Sequence, residues 1–315
     1  GRCAMGGELG WGRHYAMVEP SQFRVEYEIN PYMDTSVQPD PERAAAQWHQ
    51  LANTLRGLGA PVDVITARAD SPDMVYAMNL GLVVSRPDWT GPGRRSVVLS
   101  HMRYPQRRNE TLTARQWFET RGYAPSYVGR EGVGPHFEAG DAFPFRGDLV
   151  VGVGPRSDEL ALKHLAIDLG VRVRGLRITH PAMYHLDLAF CPLDDRRAIV
   201  CPDALDAASA ETLLELVPEP LVIDADEAVT TFCANSVVLG RTVVMPACPD
   251  RVRARLEAWG FEVVVVDVSE LHLGGGSVRC LTNPLDIALG RDLEQVVGGE
   301  VLLPVAADGS TTDAA

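Results

Sequence analysis

Several features that would assign this chain to a familiar class are missing from its sequence. The six cysteines form no CxxC pair and no Cys/His cluster with zinc spacing, and a chain this long does not need a disulfide framework. No apolar run reaches the roughly 18 residues that a membrane-spanning helix needs, and the N-terminus lacks the residue order of a secretory signal. We therefore expect a cytoplasmic protein with reduced thiols, no bound metal and no membrane partner.

Basic residues are also scarce. The 29 Lys and Arg residues are outnumbered by 42 Asp and Glu residues, which gives a formal net charge of -13. Nucleic-acid-binding proteins usually present a basic face, so this excess of acid argues against nucleic acid as a partner. With 46% hydrophobic and 23% charged residues, the 315-residue chain instead fits a globular protein that acts on a small molecule. Assembly into a homo-oligomer stays open.

The two ends of the chain show little periodicity. We expect residues 1–14 to be a flexible N-terminus or a remnant of cloning, residues 15–305 to form one catalytic domain, and residues 306–315 to be a flexible tail. Inside the domain, alternating apolar residues from Phe23 to Ile29 predict a strand or extended segment that stops at Asn30-Pro31. A helix is predicted from Asp40 to about Leu58, and a strand follows over residues 61–65.

A supersecondary unit recurs along the rest of the chain at intervals of about fifty residues. Each copy reads as strand, strand, helix, strand. The first strands of the four copies are predicted at residues 77–84, 140–143, 186–190 and 234–239. With pieces from both ends of the domain, five such units could close around a centre where their first strands converge. A doubly wound open sheet is the alternative, although its usual phosphate-binding glycine fingerprint is absent.

Polar residues stand at the start of each unit, where converging strands would bring them together. The set comprises Asp73, Asn79, Glu138, Asp141, His185, Asp187 and Cys280. A thiol, an imidazole and several carboxylates around one cavity suit nucleophilic attack on a planar, positively charged carbon. Cys280 follows the glycines 274–276, which can bring the backbone close to a ligand. The alternative is an ordinary flexible turn followed by one more buried cysteine.

The order of these motifs resembles the pentein superfamily of guanidino-modifying enzymes, from Met17 to about Asp286. That group contains arginine deiminases, amidinotransferases, dimethylarginine dimethylaminohydrolases and arginine dihydrolases. The segments that carry the resemblance are residues 29–33, 72–81, 106–110, 137–141, 154–158, 184–187 and 274–280. The resemblance implies an α/β fold, a five-bladed pseudo-symmetric propeller of ββαβ units, and no cofactor.

The resemblance also implies a role for each matched residue. Cys280 would be the nucleophile, His185 the general acid and base, and Glu138 the partner that orients the histidine. Asp73 and Asp187 would bind the guanidinium group, with Asp141 among the substrate-binding residues. Arg107 and Arg156 would clamp an α-carboxylate, a role for which arginine is well suited. The alternative for both arginines is an ordinary place on the solvent-exposed surface.

Two departures from the family pattern bear on the choice of substrate. Dimethylarginine hydrolases tend to carry two acidic residues where this chain has Met78 and Asn79. Asn30 and Asn79 instead resemble the asparagines of the arginine dihydrolase branch, and a neutral amide can hydrogen-bond an uncharged ureido group.

We therefore expect a hydrolase that acts on the guanidino group of L-arginine or a close analogue through a covalent cysteine intermediate. It would be of the dihydrolase type, which forms ornithine, carbon dioxide and ammonia, or of the deiminase type, which forms citrulline and ammonia. The alternatives are a dimethylarginine dimethylaminohydrolase, an amidinotransferase, and a pentein that binds without catalysis.

Overall fold

A computed structural model describes residues 6–86 and 95–306 of the chain. The fold is α/β, and its strands form five small sheets. Among the described residues, no helix is both long and apolar enough to cross a bilayer. The tail predicted at residues 306–315 falls almost wholly outside the described ranges.

Four of the sheets are built by the repeating unit that the sequence predicts. In each, the first two strands pair antiparallel and the third joins the second in parallel after a helix, the usual crossover between parallel neighbours. The elements up to β14 are numbered here in chain order, and β1, α1 and β2 belong to the fifth sheet. They are β1 (Tyr15–Val18), α1 (Pro41–Gly57), β2 (Val62–Ile65), β3 (Gly81–Ser85), β4 (Arg95–Leu99), α2 (Glu110–Thr120), β5 (Tyr123–Tyr127), β6 (Ala142–Phe145), β7 (Asp148–Val153), α3 (Glu159–Leu169), β8 (Val173–Arg177), β9 (Phe190–Pro192), β10 (Arg197–Val200), α4 (Ala207–Leu216), β11 (Glu219–Val222), α5 (Ala225–Thr231), β12 (Val237–Leu239), β13 (Thr242–Met245), α6 (Asp250–Ala258) and β14 (Glu262–Val265).

The fifth sheet joins the two ends of the domain. After α7 (Ser269–His272), the short strand β15 (Asn283–Pro284) pairs antiparallel with β1, and β1 pairs in parallel with β2. This is the same strand, strand, helix, strand pattern, with its first strand supplied by the C-terminal part of the chain. The last strand, β16 (Val301–Leu302), adds a fourth strand to the sheet of β6, β7 and β8.

Helix α1 shows how local sequence sets these boundaries. The side chain of Asp40 accepts hydrogen bonds from the backbone N–H groups of Glu42 and Arg43, and Pro41 occupies the first helical turn. The buried face of the helix carries Trp48 at 2% exposure, which packs in a hydrophobic cluster with residues of β1 and β13. The predicted helix and the strand after it are both confirmed.

The extended segment predicted from Phe23 to Ile29 forms no strand, so the strand interpretation is wrong. A side chain takes the place of a neighbouring strand: Gln38 accepts from the backbone N–H of Val25 at 3.0 Å and donates to its carbonyl at 2.7 Å. Val25 and Ile29 still bury their side chains, in a small separate cluster with Met33.

The first strands of the repeated units also begin later than predicted. Residues 77–80 form a 3₁₀ turn ahead of β3, and Leu186–Leu188 forms another ahead of β9. Backbone bonds are made locally there, for example from Asn79 N–H to Tyr76 O at 3.1 Å. These turns, rather than the strands, carry the polar residues of interest.

Residues 6–14, which the sequence sets apart from the domain, make specific contacts with it. Trp11 is buried in the largest hydrophobic cluster, and Asp286 accepts hydrogen bonds from the backbone N–H groups of Gly12 at 2.9 Å and Arg13 at 2.8 Å. Residues 12 and 13 are therefore tied by hydrogen bonds to the loop that follows β15.

Replacing Asp286 with alanine tests this tie. Asp286→Ala removes the acceptor of two backbone N–H groups, one part-buried and one exposed to water, and we expect the free energy of unfolding to fall by about 0.5–1.5 kcal/mol. Asp168→Ala is the control, because Asp168 is exposed on α3 and its loss should change stability by less than about 0.5 kcal/mol. Melting curves of both variants measure the effect, and equal melting temperatures would contradict the proposed tie.

Candidate active site

The polar residues singled out from the sequence lie on turns that precede the first strands of the units. Asp73 and Asn79 are on consecutive 3₁₀ turns before β3, and Glu138 precedes the turn Ala139–Asp141 before β6. His185 precedes the turn before β9. With the exception of Asn30, which is half-buried, every predicted site residue is at most 3% exposed (Cys280, His185, Glu138, Asp73, Asn79, Asp141, Asp187, Arg107 and Arg156).

Three of these turns meet at Gly140. A methyl group in place of its hydrogen would lie 2.7 Å from Asn79 Oδ1 and 3.2 Å from both Asp187 Oδ2 and His185 Nδ1. The N–H of Gly140 also donates to Asn79 Oδ1 at 2.9 Å. Only glycine fits between these side chains, so the residue brings an amide, a carboxylate and an imidazole to one point.

Cys280 lies beside the same carboxylate. Its sulfur is 3.7 Å from Asp187 Oδ2. That oxygen and His185 Nδ1 each lie 3.2 Å from the position that a methyl group on Gly140 would take. The thiol therefore contacts Asp187, and Asp187 and the imidazole of His185 both lie against Gly140. Burial raises the pKa of the Cys280 thiol well above its usual range, and the negative charge of Asp187 raises it further. Without a ligand, the sulfur carries its proton at neutral pH.

Glu138 holds the histidine from the other side. Its Oε1 atom lies 2.7 Å from His185 Nε2 and accepts from Arg156 Nη1 at 3.0 Å, and its Oε2 atom accepts from the backbone N–H of Arg103 at 2.9 Å. Burial alone would raise the pKa of Glu138, but Arg156 and His185 outweigh it and hold that pKa well below the usual range.

The ionised carboxylate fixes the tautomer of His185. Because Nε2 faces Glu138, it carries the proton of the neutral ring, and the lone pair is on Nδ1. Within the described residues, Nδ1 has no hydrogen-bond partner although it is buried. The histidine can therefore accept or return a proton on the side that faces Gly140 and Asp187.

Asp141 lies next to this pair, but both of its oxygens are engaged by protein groups. Oδ1 accepts from the backbone N–H of Leu186 at 2.9 Å, and Oδ2 accepts from the hydroxyl of Ser157 at 2.6 Å. These contacts fix the turn that carries Asp187. Burial raises the pKa of Asp141 to about 7. Its role in binding substrate stays a prediction.

The two arginines are buried and not on the solvent-exposed surface. Arg107 donates from Nε and Nη2 to the two carboxylate oxygens of Glu110, each at 2.9 Å, and from Nη2 to Asp73 O at 3.3 Å. Arg156 donates to Glu138 and to Ile29 O, and its guanidinium group lies between the rings of Tyr104 and Tyr184. Both arginines place positive charge close to Asp73.

Asp73 is a buried carboxylate with an open position. Burial raises its pKa to about 6, against the lowering effect of Arg107. Neither Asp73 Oδ1 nor Asp187 Oδ1 has a hydrogen-bond partner in the described part of the chain. Unpaired buried carboxylate oxygens are costly, so this arrangement favours a ligand that brings N–H donors to them.

The three glycines before Cys280 are required by close contacts. A methyl group at Gly274 would lie 2.2 Å from Tyr76 Oη, and one at Gly276 would lie 2.4 Å from the Tyr76 ring. Gly275 has a φ of +90° and faces Asn30, whose Nδ2 donates to Gly274 O at 3.1 Å. Asn30 therefore contacts the glycine loop itself.

Three aromatic side chains next to the site contact one another, and we call Tyr32, Tyr184 and Phe232 the aromatic cluster. The Tyr32 ring centre lies 4.9 Å from that of Phe232 and 6.4 Å from that of Tyr184. Tyr32 donates to Ala182 O at 2.9 Å, and Tyr184 donates to Gly275 O. Cys280 and His185 are at most 2% exposed, so a substrate reaches them only when groups around them move.

Two residues of the site were not found from the sequence. Asn235 contacts Cys280 directly, and Arg279 donates to Asp187 Oδ2 at 3.2 Å and to Gly140 O at 3.1 Å. A signal for Asn235 was present, because it stands two residues before β12 as Asn79 stands two residues before β3. Within residues 6–86 and 95–306, no group of three or more His, Cys, Asp or Glu side chains could hold a metal ion.

Comparison with known proteins identifies similar sequences. The family model described as N,N dimethylarginine dimethylhydrolase, eukaryotic, matches residues 19–287. The N(G),N(G)-dimethylarginine dimethylaminohydrolase of Mycobacterium tuberculosis is 36% identical over 270 residues, which are 86% of this chain and 85% of that protein. The bifunctional arginine dihydrolase/ornithine cyclodeaminase AgrE of Nostoc sp. is 31% identical over 272 residues, and the match covers 85% of this chain but only 37% of AgrE.

A solved structure with the same fold holds a ligand. The N-terminal domain of ArgZ, a cyanobacterial arginine dihydrolase solved as a variant bound to its substrate, has a TM-score of 0.80 and 29% sequence identity. The match covers 87% of this chain and 98% of that domain. The α/β fold is thus that of the catalytic domain of ArgZ, and this chain spans the part of AgrE-like proteins that corresponds to it.

The raised pKa of Asp141 predicts a pH dependence of stability. An aspartic acid in an unfolded chain titrates at about 3.9, so between that value and about 7 the folded state keeps a proton that the unfolded state has released. This contribution is complete below about pH 4 and is lost as the pH rises through 7.

Asp141→Asn should remove that contribution. We expect the unfolding free energy of the variant to fall less steeply between pH 4 and 7 than that of the wild type, by on the order of 3 kcal/mol over the interval. Urea denaturation at a series of pH values measures both slopes. Equal slopes would mean that Asp141 does not hold a proton in this range.

Proposed function

The chain belongs to the dimethylarginine dimethylaminohydrolase family and is a hydrolase of guanidino C–N bonds, and we propose that its substrate is L-arginine. We further propose that hydrolysis continues past citrulline to ornithine, carbon dioxide and ammonia. The relatives named as arginine dihydrolases, and the substrate-bound ArgZ domain, support this choice.

The observation that carries the proposal is the set of unpaired buried atoms around Gly140 and Asp73. Asp73 Oδ1, Asp187 Oδ1 and His185 Nδ1 are all buried without a partner among the described residues. The two carboxylate oxygens can only accept hydrogen bonds, and an unmethylated guanidinium group offers five N–H donors in one plane. A terminal nitrogen that carries two methyl groups has no N–H to offer.

The residues at positions 78 and 79 support arginine over dimethylarginine. Met78 is fully buried in the hydrophobic core, so it cannot bind a cation. Asn79 presents a neutral amide beside Gly140, where a carboxylate would add negative charge. A neutral amide suits both the guanidinium group of arginine and the uncharged ureido group of citrulline, as two successive hydrolyses require.

The first half of the reaction starts at Cys280. The bound cation favours transfer of the thiol proton to Nδ1 of His185, a proton that the sulfur otherwise keeps because it is buried beside Asp187. The thiolate attacks the guanidinium carbon, a C–S bond forms, and the carbon becomes tetrahedral. The C–N bond to a terminal nitrogen then breaks, and His185 gives that nitrogen a proton so that it leaves as ammonia.

Water completes the cycle. His185, now neutral and held by Glu138, takes a proton from a water molecule on its Nδ1 side, and the oxygen attacks the thioether carbon. The C–S bond breaks and citrulline forms. In a second round the ureido carbon undergoes the same attack and loss of ammonia, and water releases a carbamic acid on the ornithine nitrogen, whose C–N bond then breaks to give carbon dioxide. One arginine and two waters thus give ornithine, carbon dioxide and two molecules of ammonia.

We assign the α-carboxylate of the substrate to Arg107 and Arg156. Arg107 uses Nε and Nη2 on Glu110, and among the described residues no hydrogen bond engages its Nη1. Arg156 is held between two tyrosine rings and points at Glu138 and Ile29 O. A guanidinium group has five N–H donors, so Nη1 of Arg107 can serve a carboxylate oxygen while Nε and Nη2 hold Glu110.

Dimethylarginine is the second candidate substrate, because the relative from M. tuberculosis is 36% identical over most of its own length. This activity would release dimethylamine and citrulline. The two candidates therefore differ in both the amine released and the final carbon product.

We propose that the five sheets are the blades of a five-bladed propeller around a pseudo-fivefold axis. The same order of antiparallel and parallel pairing in every sheet, and the meeting of three site-bearing turns at Gly140, support this arrangement. A crystal structure would test it: the five units should superpose by successive rotations of one fifth of a turn. Units that superpose only after unrelated rotations would contradict it.

An end-point assay tests the substrate. The protein is incubated separately with arginine, citrulline and asymmetric dimethylarginine, and the products are identified by mass. We expect ornithine, with two equivalents of ammonia per arginine consumed, and ornithine again from citrulline. Citrulline as the final product would indicate a deiminase, and dimethylamine release without arginine turnover would overturn the proposal.

Cysteine variants test the nucleophile. Cys280→Ala should lower kcat by at least about 10⁴-fold, because no other group can form the covalent intermediate. Cys201→Ala is the matched control. Cys201 is equally buried but lies between β10 and the 3₁₀ turn Pro202–Ala204, and its loss should leave kcat within about twofold of the wild type. Wild-type turnover by Cys280→Ala would refute the assignment.

A further inference from the structure

Asn235 connects the predicted nucleophile to the turn that carries Asp187. Its Oδ1 atom accepts from the backbone N–H of Cys280 at 3.1 Å. Its Nδ2 group donates to the carbonyl oxygen of Asp187 at 3.0 Å and also lies 3.3 Å from Cys280 Sγ. The residue is fully buried, so water does not compete for these contacts.

The network fixes which way the amide points. The Cys280 N–H requires an acceptor and the Asp187 carbonyl requires a donor, so the oxygen of Asn235 must face Cys280 N and its nitrogen must face Asp187 O. In this orientation one of the two N–H bonds of Nδ2 is directed to the sulfur. The two backbone groups, and not the sulfur, therefore determine which way the N–H donors of Asn235 point.

We propose that Asn235 is a positioning residue of the reaction: it fixes the sulfur of Cys280 beside Asp187 and donates a hydrogen bond to the attacking thiolate. The proposal rests on the assignment of Cys280 as nucleophile. No role for this asparagine follows from the resemblance to the family or from the predicted site.

The surroundings of the sulfur explain why such a donor is needed. Asp187 places negative charge 3.7 Å from the sulfur, and the guanidinium group of Arg279 is directed at Asp187 and at two backbone carbonyls. Besides Asp187, the titratable or charged groups that interact electrostatically with this sulfur are Arg279, Tyr32, Tyr76 and Tyr184. Hydrogen bonds to a charged acceptor are about twice as strong as neutral ones, so the Asn235 N–H stabilises the thiolate more than the thiol.

The first experiment needs no substrate. The rate at which iodoacetamide alkylates Cys280 is followed by peptide mass mapping in the wild type and in Asn235→Ala between pH 7 and 9.5. Loss of the donor should raise the thiol pKa by about one unit, which reduces the thiolate tenfold, while the more basic thiolate is about threefold more nucleophilic. We expect alkylation to slow by about threefold. Alanine is smaller than asparagine and does not itself block the sulfur, and an Asn283 variant controls for the effects of altered packing.

The second experiment uses turnover. In Asn235→Ala the acid limb of kcat against pH should move up by about one unit and kcat at pH 7 should fall at least about tenfold, while KM changes by less than about threefold. Asn235→Asp keeps the shape and the acceptor for Cys280 N–H but lacks the amide donor. Asn235→Asp replaces the alanine variant if the latter does not fold, and we expect its alkylation rate and kcat at pH 7 to fall as well.

Asn283→Ala is the matched control. Asn283 is also fully buried and donates to two backbone carbonyls, those of Ala77 and Gly81, but it does not contact the sulfur. It should destabilise the protein and leave the alkylation profile unchanged.

Alkylation of the Asn235 variants at or above the wild-type rate would overturn the proposal, as would an equal slowing in Asn283→Ala. If no guanidino compound is turned over while alkylation slows only in the Asn235 variants, the proposed function fails and the role of Asn235 stands.

Discussion

The carboxylate of Glu138 is the constraint on which the site depends. It lies at zero exposure and is held by Arg156, by the backbone of Arg103 and by His185, which come from three separate stretches of the chain. A buried charge is tolerated only when it is paired and hydrogen-bonded, so these groups must stay in place for the fold to be stable. The contact with His185 Nε2 that helps to keep Glu138 ionised also sets the tautomer of that histidine.

Close packing then determines how the remaining groups meet. Glycines at 140, 274 and 276 leave no room for a β-carbon, and each brings polar side chains or aromatic rings nearer than another residue would allow. At Gly140 an amide, a carboxylate and an imidazole approach one point, and at Gly276 the loop before Cys280 packs on Tyr76. The positions of the polar groups in the site thus depend on these glycines, which have no side chain, as well as on the polar residues themselves.

Much of this could be read from the sequence for identifiable reasons. The repeated unit was visible because each copy combines apolar strands with one amphipathic helix, and the polar residues at its start stand out against that pattern. The contacts of Gln38 with Val25 were not predictable, because a side chain that replaces a strand leaves no periodic signal. Arg279 was missed because its partners are backbone groups and a residue far away in the chain, which only the folded structure brings together. The place of Asn235 before β12 was a signal, but it did not by itself point to Cys280.

The burial of the site bears on the timing of the proposed two-step hydrolysis. Cys280 and His185 are at most 2% exposed, so a ligand reaches or leaves them only when surrounding groups move. In the proposed reaction, citrulline would wait beside the thiol for the same movement and could react again during that interval. Its residence time would then set how much of the half-degraded compound leaves the protein before the second hydrolysis.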